Sequence, residues 1–213
     1  MKTDDLIAML ATNAAPVDPG VVRKRYAIAL GLGLAGAVAL LLPILGLRPD
    51  LAQAVFLPMF WVKFAVPLAL FAVAAAGTVR LARPGMPLGR IPAVVPAPAV
   101  AIWLLAGIAL ARAEPGERLA MLLGSTWSVC PLNITMLAAP VFVGVFWAMR
   151  GLAPTRLALA GAFSGLLAGS AGALVYCLHC PEMEPAFIGT WYLLGMLIPA
   201  LAGAALGPKL LRW

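Results

Sequence analysis

The chain has 213 residues, of which 63% are hydrophobic and 11% charged, and it carries a formal net charge of +7. Its mean hydropathy of +1.01 excludes an ordinary soluble domain, which needs far more polar surface to stay dispersed. The basic residues are scattered in small groups between apolar runs. This pattern indicates membrane topology signals and disfavours a nucleic-acid-binding face.

The first 25 residues form a polar leader that opens with MKTDDLIAMLATNAAPVDPG. Thr3 is a suitable helix N-cap, and Asp4 and Asp5 follow in the first turn, where the helix dipole favours acids. Leu6 and Leu10 fall on one face of the predicted helix. The residues that flank this face are Ile7, Met9 and Asn13.

The leader helix is stopped by Pro16 and Pro19 and is too short to be stable alone in water. It must therefore order against another surface. Two interpretations stay open: the helix docks on the membrane surface or on the rest of the protein, or it binds in a groove of a cytosolic protein.

Six apolar stretches are each long enough, at about 20 residues per crossing, to form a transmembrane helix. They are Tyr26–Leu47, Phe60–Leu81, Ile91–Ala111, Pro131–Met149, Leu157–Leu178 and Phe187–Leu206. The first is too long for the core of a signal peptide and is predicted to be retained. The sequence therefore predicts an all-α polytopic membrane protein with a leader (1–25), a six-helix bundle (26–207) and a short tail (208–213).

Basic residues accumulate on one side of this topology. Eleven of the fifteen lie before the first span, between the second and third, between the fourth and fifth, or after the sixth: Lys2, Arg23, Lys24, Arg25, Arg80, Arg83, Arg90, Arg150, Arg156, Lys209 and Arg212. By the positive-inside rule, both termini are predicted to be cytoplasmic.

Small residues recur at four-residue intervals in the last two spans. The rows are Gly161, Gly165, Gly169 and Ala173 in the fifth span, and Gly195, Pro199, Gly203 and Gly207 in the sixth. Each row forms a smooth stripe along one helix face, and we expect both stripes to face neighbouring helices.

A charged side chain, Lys63, lies inside the second apolar span near one end, and Arg80 lies at its other end, next to the connection. The long stem of Lys63 favours an ammonium that extends to the membrane interface over a functional buried charge. No Asp or Glu lies within any span, which argues against an ion-coupled transporter.

The cysteines and the single histidine all lie on the predicted non-cytoplasmic side, where disulfides persist. Cys177, His179 and Cys180 belong to VYCLHCPEMEP at the end of the fifth span, and Cys130 belongs to STWSVCPLN before the fourth. Since Pro131 suits the first turn of a helix, Cys130 is predicted at a helix N-terminus, where a thiolate is favoured.

Three interpretations compete for this group. Cys130 and Cys180 form a disulfide if their Cα atoms come within about 4.4–6.8 Å. Alternatively, Cys177, His179 and Cys180, with Cys130 or Met183, bind a soft metal such as copper. The third possibility is that these are small buried residues without chemistry. Three thiols on one face favour redox or metal chemistry.

Three segments carry a resemblance to a known family: the leader, PMFWVKFAVP (Pro58–Pro67), and the terminal LHCPEMEPAFIGTWYLLGMLIPALAGAALGPKLLRW. They resemble the NrsF-type proteins, six-span inner-membrane anti-sigma factors of proteobacteria, and the resemblance extends over essentially the whole chain. It implies a protein that holds an extracytoplasmic-function sigma factor inactive and releases it under metal or oxidative stress.

The resemblance also implies roles for individual residues. The family's two outer cysteines map onto Cys130 and Cys180, whereas Cys177 is an extra thiol. Sigma-factor binding is assigned to the cytoplasmic side, and the matching leader residues are Thr3, Asp4, Asp5, Leu6, Ile7 and Leu10.

The predicted switch is therefore a leader that binds the sigma factor and a thiol group that responds to the stimulus. No resident cofactor is expected, although copper or another soft metal held by Cys130, Cys180 and His179 is a candidate regulatory ion. The expected partners are the sigma factor and membrane lipid, without direct nucleic-acid contact, and no enzymatic activity is expected. The main alternative is a membrane thiol-disulfide oxidoreductase that uses the Cys177–Cys180 pair, and a metal transporter is third.

Overall fold

The computed structural model of the chain describes residues 3–12, 20–152 and 154–212. These residues are mostly helical and contain no β-strand. Six of their helices are long and apolar enough to cross a membrane: Val21–Ile44, Pro58–Leu81, Ile91–Arg112, Cys130–Arg150, Leu157–Tyr176 and Pro185–Leu210. The predicted all-α, six-span architecture is therefore confirmed.

The helix ends differ from the predicted ones by a few residues, and two differences matter. The first span begins at Val21, so that Arg23, Lys24 and Arg25 lie in its first turns. The fifth span ends at Tyr176, and Cys177 occupies its C-cap position. Cys177 is thus the last residue that the fifth span positions, and Cys180 belongs to the connection that follows.

The connections at one end of the bundle contain short helices. Leu51–Ala54 follows the first span, and Arg118–Leu123 follows the third. The sixth span starts with the short helix Pro185–Phe187 and a π-helical turn, Ile188–Tyr192, before its regular part, Leu193–Leu210. We call this end, where the cysteines lie, the thiol end, and the opposite end the leader end.

An even number of crossings brings the segments before the first span and after the sixth to the leader end. Which end faces the cytoplasm stays a prediction from the charge distribution. The fifth span lies at the centre, where it packs against the sixth most extensively and also against the fourth, second and first. The third span is peripheral, and only Ile102 and Ala106 of its main helix are buried.

The two small-residue stripes pack directly on each other. A Cβ atom added at Gly161 would collide with the carbonyl oxygen of Gly203, and one added at Gly165 would collide with that of Pro199. The helix backbones are therefore in contact, which is how helices associate where lipid removes the hydrophobic drive. The expectation that the stripes face neighbouring helices is confirmed.

The predicted leader helix is present as Thr3–Thr12, with Asp4 and Asp5 in its first turn. Ile7 and Met9 are each 59% exposed, so the helix offers apolar side chains to a partner. The predicted positions of the Leu6 and Leu10 side chains, the flanking Asn13, and the stop at Pro16 and Pro19 lie outside the described residues.

The contact between the stripes predicts a large effect for a single methyl group. Gly165→Ala should destabilise the protein by about 1–3 kcal/mol, because two backbones must separate to admit the Cβ atom. Thermal unfolding in detergent measures this loss. Gly107→Ala on the third span is the matched control, since no atom of the described residues lies within 4 Å of a Cβ added there. Equal stability of both variants would contradict the packing.

Candidate functional site

Three thiols converge at the thiol end. Cys130 is the first residue of the fourth span, Cys177 caps the fifth, and Cys180 lies in the connection to the sixth. All three are free cysteines with 0% exposure, and they share one apolar cluster. The three cysteines, which the sequence predicted on one side of the membrane, are thus also close together in the structure. The fourth and fifth spans both contribute to the group.

The side chains of Cys130 and Cys180 lie close enough to interact. The neighbouring Cys130 thiol, together with the positive charge of Lys63, lowers the pKa of Cys180 to about 5 although burial opposes the shift. Burial raises the pKa of Cys177 to about 12. The arrangement therefore favours the thiolate at Cys180 and the protonated thiol at Cys177.

The connection that contains Cys180, residues 178–184, covers the thiol pair, and we call it the cap. One side of the cap is tied to the segment after the first span. The backbone N–H of Arg48 donates to the carbonyl of Leu178 (3.0 Å), and Nδ1 of His179 donates to the carbonyl of Gly46 (3.0 Å). The Arg48 guanidinium donates to the Cys180 carbonyl (3.3 Å) while it forms a bidentate ion pair with Asp50.

The other side of the cap is tied to the loop before Cys130. The carboxylate of Glu182 accepts hydrogen bonds from the backbone N–H (2.7 Å) and hydroxyl (2.6 Å) of Ser125. Gly124 precedes this contact with a φ of +56°, and a Cβ there would lie 2.7 Å from the same carboxylate. Glycine is therefore required for the close approach of loop and cap.

Lys63 reaches the cap from the second span. Its side chain is 0% exposed, and its Nζ donates to the carbonyls of Cys180 (2.7 Å) and Glu182 (2.8 Å). The same atom lies 5.1 Å from the centre of the Tyr192 ring, over its face. The expectation that Lys63 extends to the membrane interface is wrong, because the cap carbonyls satisfy its ammonium inside the protein.

Tyr192 completes the floor of the site from the π-helical turn of the sixth span. Its ring packs against that of Tyr176 with centroids 5.7 Å apart. Its buried hydroxyl makes no hydrogen bond of ordinary geometry within the described part of the chain, yet it lies close enough to Cys180 to favour the thiolate. A π-helical turn is a frequent feature of functional sites.

Lys63, Arg48 and Tyr192 were absent from the sequence-predicted site. A signal for Lys63 was present, since an ionisable residue within an apolar run is a functional candidate by default. Arg48 and Tyr192 carried no comparable signal, because their contacts depend on how the cap folds back over the bundle.

The same geometry bears on the predicted metal ligands. Among the described residues, no group of three or more His, Cys, Asp and Glu side chains is arranged to hold a metal ion. His179 is directed to Gly46 instead of to the thiols. In this arrangement Cys130, Cys180 and His179 do not form a ligand set, and metal sensing stays a prediction.

Comparisons with known proteins find relatives over the full length of the chain. The family model described as "Negative regulator of sigma F" matches residues 10–213. A protein of Azospira oryzae named "Probable anti-sigma-F factor NrsF" is 50% identical over 213 residues, which is 100% of both chains. The "Anti-sigma-F factor NrsF" of Caulobacter vibrioides is 41% identical over 216 residues, again 100% of both. No solved structure matches. The chain therefore belongs to the NrsF family.

Proposed function

We propose that this protein is a multi-pass anti-sigma factor of the bacterial inner membrane that binds an extracytoplasmic-function sigma factor through its leader and releases it when oxidation joins Cys130 to Cys180. The names of the family and of the two relatives support a sigma factor as the partner. The observation that carries the sensing half is the close pair of buried thiols, Cys130 from the fourth span and Cys180 from the cap.

The exposed leader helix supports the binding half of the proposal. A short helix with exposed Ile7 and Met9 resembles the amphipathic segments that dock into a groove of a partner protein. The leader end also carries most of the basic residues, which supports a cytoplasmic position for the leader and a non-cytoplasmic position for the thiols.

The proposed oxidation is a two-step reaction with a peroxide as the two-electron oxidant. The Cys180 thiolate attacks the peroxide and becomes a sulfenic acid, and the peroxide is reduced to hydroxide. The sulfur of Cys130 then attacks the Cys180 sulfur, a disulfide forms, and water leaves with the Cys130 proton. The bond ties the start of the fourth span to the cap.

A thiol-disulfide oxidoreductase remains the alternative that the sequence raised. Such an enzyme would use Cys177 and Cys180, whereas the thiol that lowers the pKa of Cys180 is Cys130. Cys177, with its raised pKa, is a poor nucleophile. A single oxidation event per chain, without turnover of an added dithiol, separates the sensor from the enzyme.

Replacing the thiol pair should uncouple binding from release. The Cys130→Ser, Cys180→Ser double variant should bind the sigma factor as the unmodified chain does and should lose oxidant-dependent release, since no disulfide can form. Co-purification from detergent-solubilised membranes with and without peroxide measures both properties. The Cys177→Ala variant is the control and should still release. Release by the double variant would place the trigger elsewhere.

The state of Cys180 predicts an unusual pH dependence. With its pKa lowered to about 5, Cys180 is already a thiolate at pH 6.5. The rate of disulfide formation with peroxide should therefore change less than about twofold between pH 6.5 and 8, whereas an ordinary thiol accelerates more than about tenfold over this range. Stopped reactions analysed by mass spectrometry give the rate. A steep rise would contradict the thiolate assignment.

A charge on the apolar side of the leader helix should weaken sigma-factor binding. Ile7→Asp should raise Kd by about tenfold or more, because an apolar side chain loses about 1.5–3 kcal/mol of burial when it is replaced by a charge. Thr12→Asp adds the same charge about 140° around the helix and should have little effect. Equal losses in both variants, measured by pull-down titration, would argue that the leader does not dock by this side.

A further inference from the structure

Lys63 stands apart from the other charged groups at the thiol end. Arg48 is neutralised by Asp50 at 2.7 Å, and the Glu182 carboxylate is held by Ser125. Lys63, by contrast, forms no ion pair with a carboxylate of the described residues. It is nevertheless fully buried inside the protein, near the start of the second span.

A buried ammonium needs compensation, because the loss of its hydration costs several kcal/mol. Two cap carbonyls and the face of the Tyr192 ring supply part of it. Lys63 also lies close enough to the sulfur of Cys180 for its positive charge to favour the thiolate there. The thiol pair and the second span are therefore linked through Lys63, which holds the Cys180 carbonyl at 2.7 Å.

We propose that Lys63 is the positioning residue that couples the oxidation state of Cys130 and Cys180 to the second span. The inference rests on the proposed function, since it takes the disulfide as the signal. In the reduced protein, Lys63 holds the cap carbonyls and is balanced by the Cys180 sulfur. Disulfide formation removes that negative charge, and the ammonium must find new partners or water.

The helix of the second span is weakened next to Lys63. Pro67 lies four residues after Lys63 and has no N–H to donate to the Lys63 carbonyl, so the helix lacks one hydrogen bond there. The segment Pro58–Lys63 can then tilt about Pro67 at low cost. At the leader end of the same span, Arg80 donates to the carbonyl of Leu88 (2.9 Å) in the following connection. The second span thus has its hinge next to the Lys63 anchor and a further contact with a connection at the leader end.

The first test measures the redox equilibrium of the thiol pair. The full-length chain with Cys177→Ala, in detergent, is titrated with reduced and oxidised glutathione, and the disulfide fraction is read by thiol labelling. Lys63→Met removes the charge at similar length. This substitution should shift the equilibrium constant at least about tenfold toward the disulfide, which corresponds to about 30 mV. The reduced form loses the positive charge that stabilises it, and the oxidised form loses a buried positive charge that has no negative partner.

The sign of this shift separates coupling from a merely structural role. If Lys63 only held the cap in place, its loss would loosen the cap and disfavour the disulfide. Arg112→Gln, which removes an exposed basic residue at the end of the third span, is the charge-matched control and should leave the equilibrium unchanged. A shift toward the dithiol, or no shift, in Lys63→Met would overturn the proposal.

The second test needs no variant at Lys63 and stands if that variant does not fold. The unmodified chain is treated with an amine-reactive reagent before and after disulfide formation, and modification of each lysine is read by mass spectrometry. Lys63 should be protected in the reduced protein and react at least tenfold faster in the oxidised one. Lys24 and Lys209, which are exposed, serve as internal references.

The two hypotheses fail in different ways. If no disulfide forms between Cys130 and Cys180 at any glutathione ratio, the proposed function is wrong. If the disulfide forms and releases the sigma factor while Lys63 labelling stays unchanged, the proposed function stands and the coupling through Lys63 is wrong.

Discussion

The thiol end of this protein depends on one interaction, the hydrogen bonds from the buried Lys63 ammonium to the carbonyls of Cys180 and Glu182. The cap has no regular secondary structure, so its buried backbone groups must find partners outside the cap. Lys63 satisfies two of them from the second span. The position of Cys180 above Cys130 follows from that anchor and from the ties of the cap to Gly46, Arg48 and Ser125.

The packing of the bundle indicates which span a change at the Lys63 anchor would affect. The fifth span contacts four of its neighbours, and its glycine stripe brings its backbone against that of the sixth. Such an interface is rigid, because neither backbone can move closer. We therefore expect the second span, which packs on another side of the fifth and carries Lys63, to respond to a change at the cap.

The features that the sequence predicted correctly were those with a single physical cause. Span length follows from bilayer thickness, the glycine stripes follow from the need for close backbone contact, and the gathering of Cys130 and Cys180 follows from the alternation of the spans. Lys63 was misjudged because a lysine near a span end usually extends to the interface. Its true partners are carbonyls of a segment more than a hundred residues away, and no local pattern could reveal them.

The free energy needed to shift a two-state equilibrium explains why the buried Lys63 ammonium matters. Moving a two-state equilibrium from about 99:1 to 1:99 takes about 5.5 kcal/mol. A disulfide typically contributes about 2–4 kcal/mol, which falls short if the crosslink acts alone. In our proposal, loss of the negative charge of Cys180 adds a penalty to the arrangement of the cap in which the Lys63 ammonium stays buried. This penalty and the crosslink act on the same segment and in the same direction, so together they bias the two states more than the crosslink does alone.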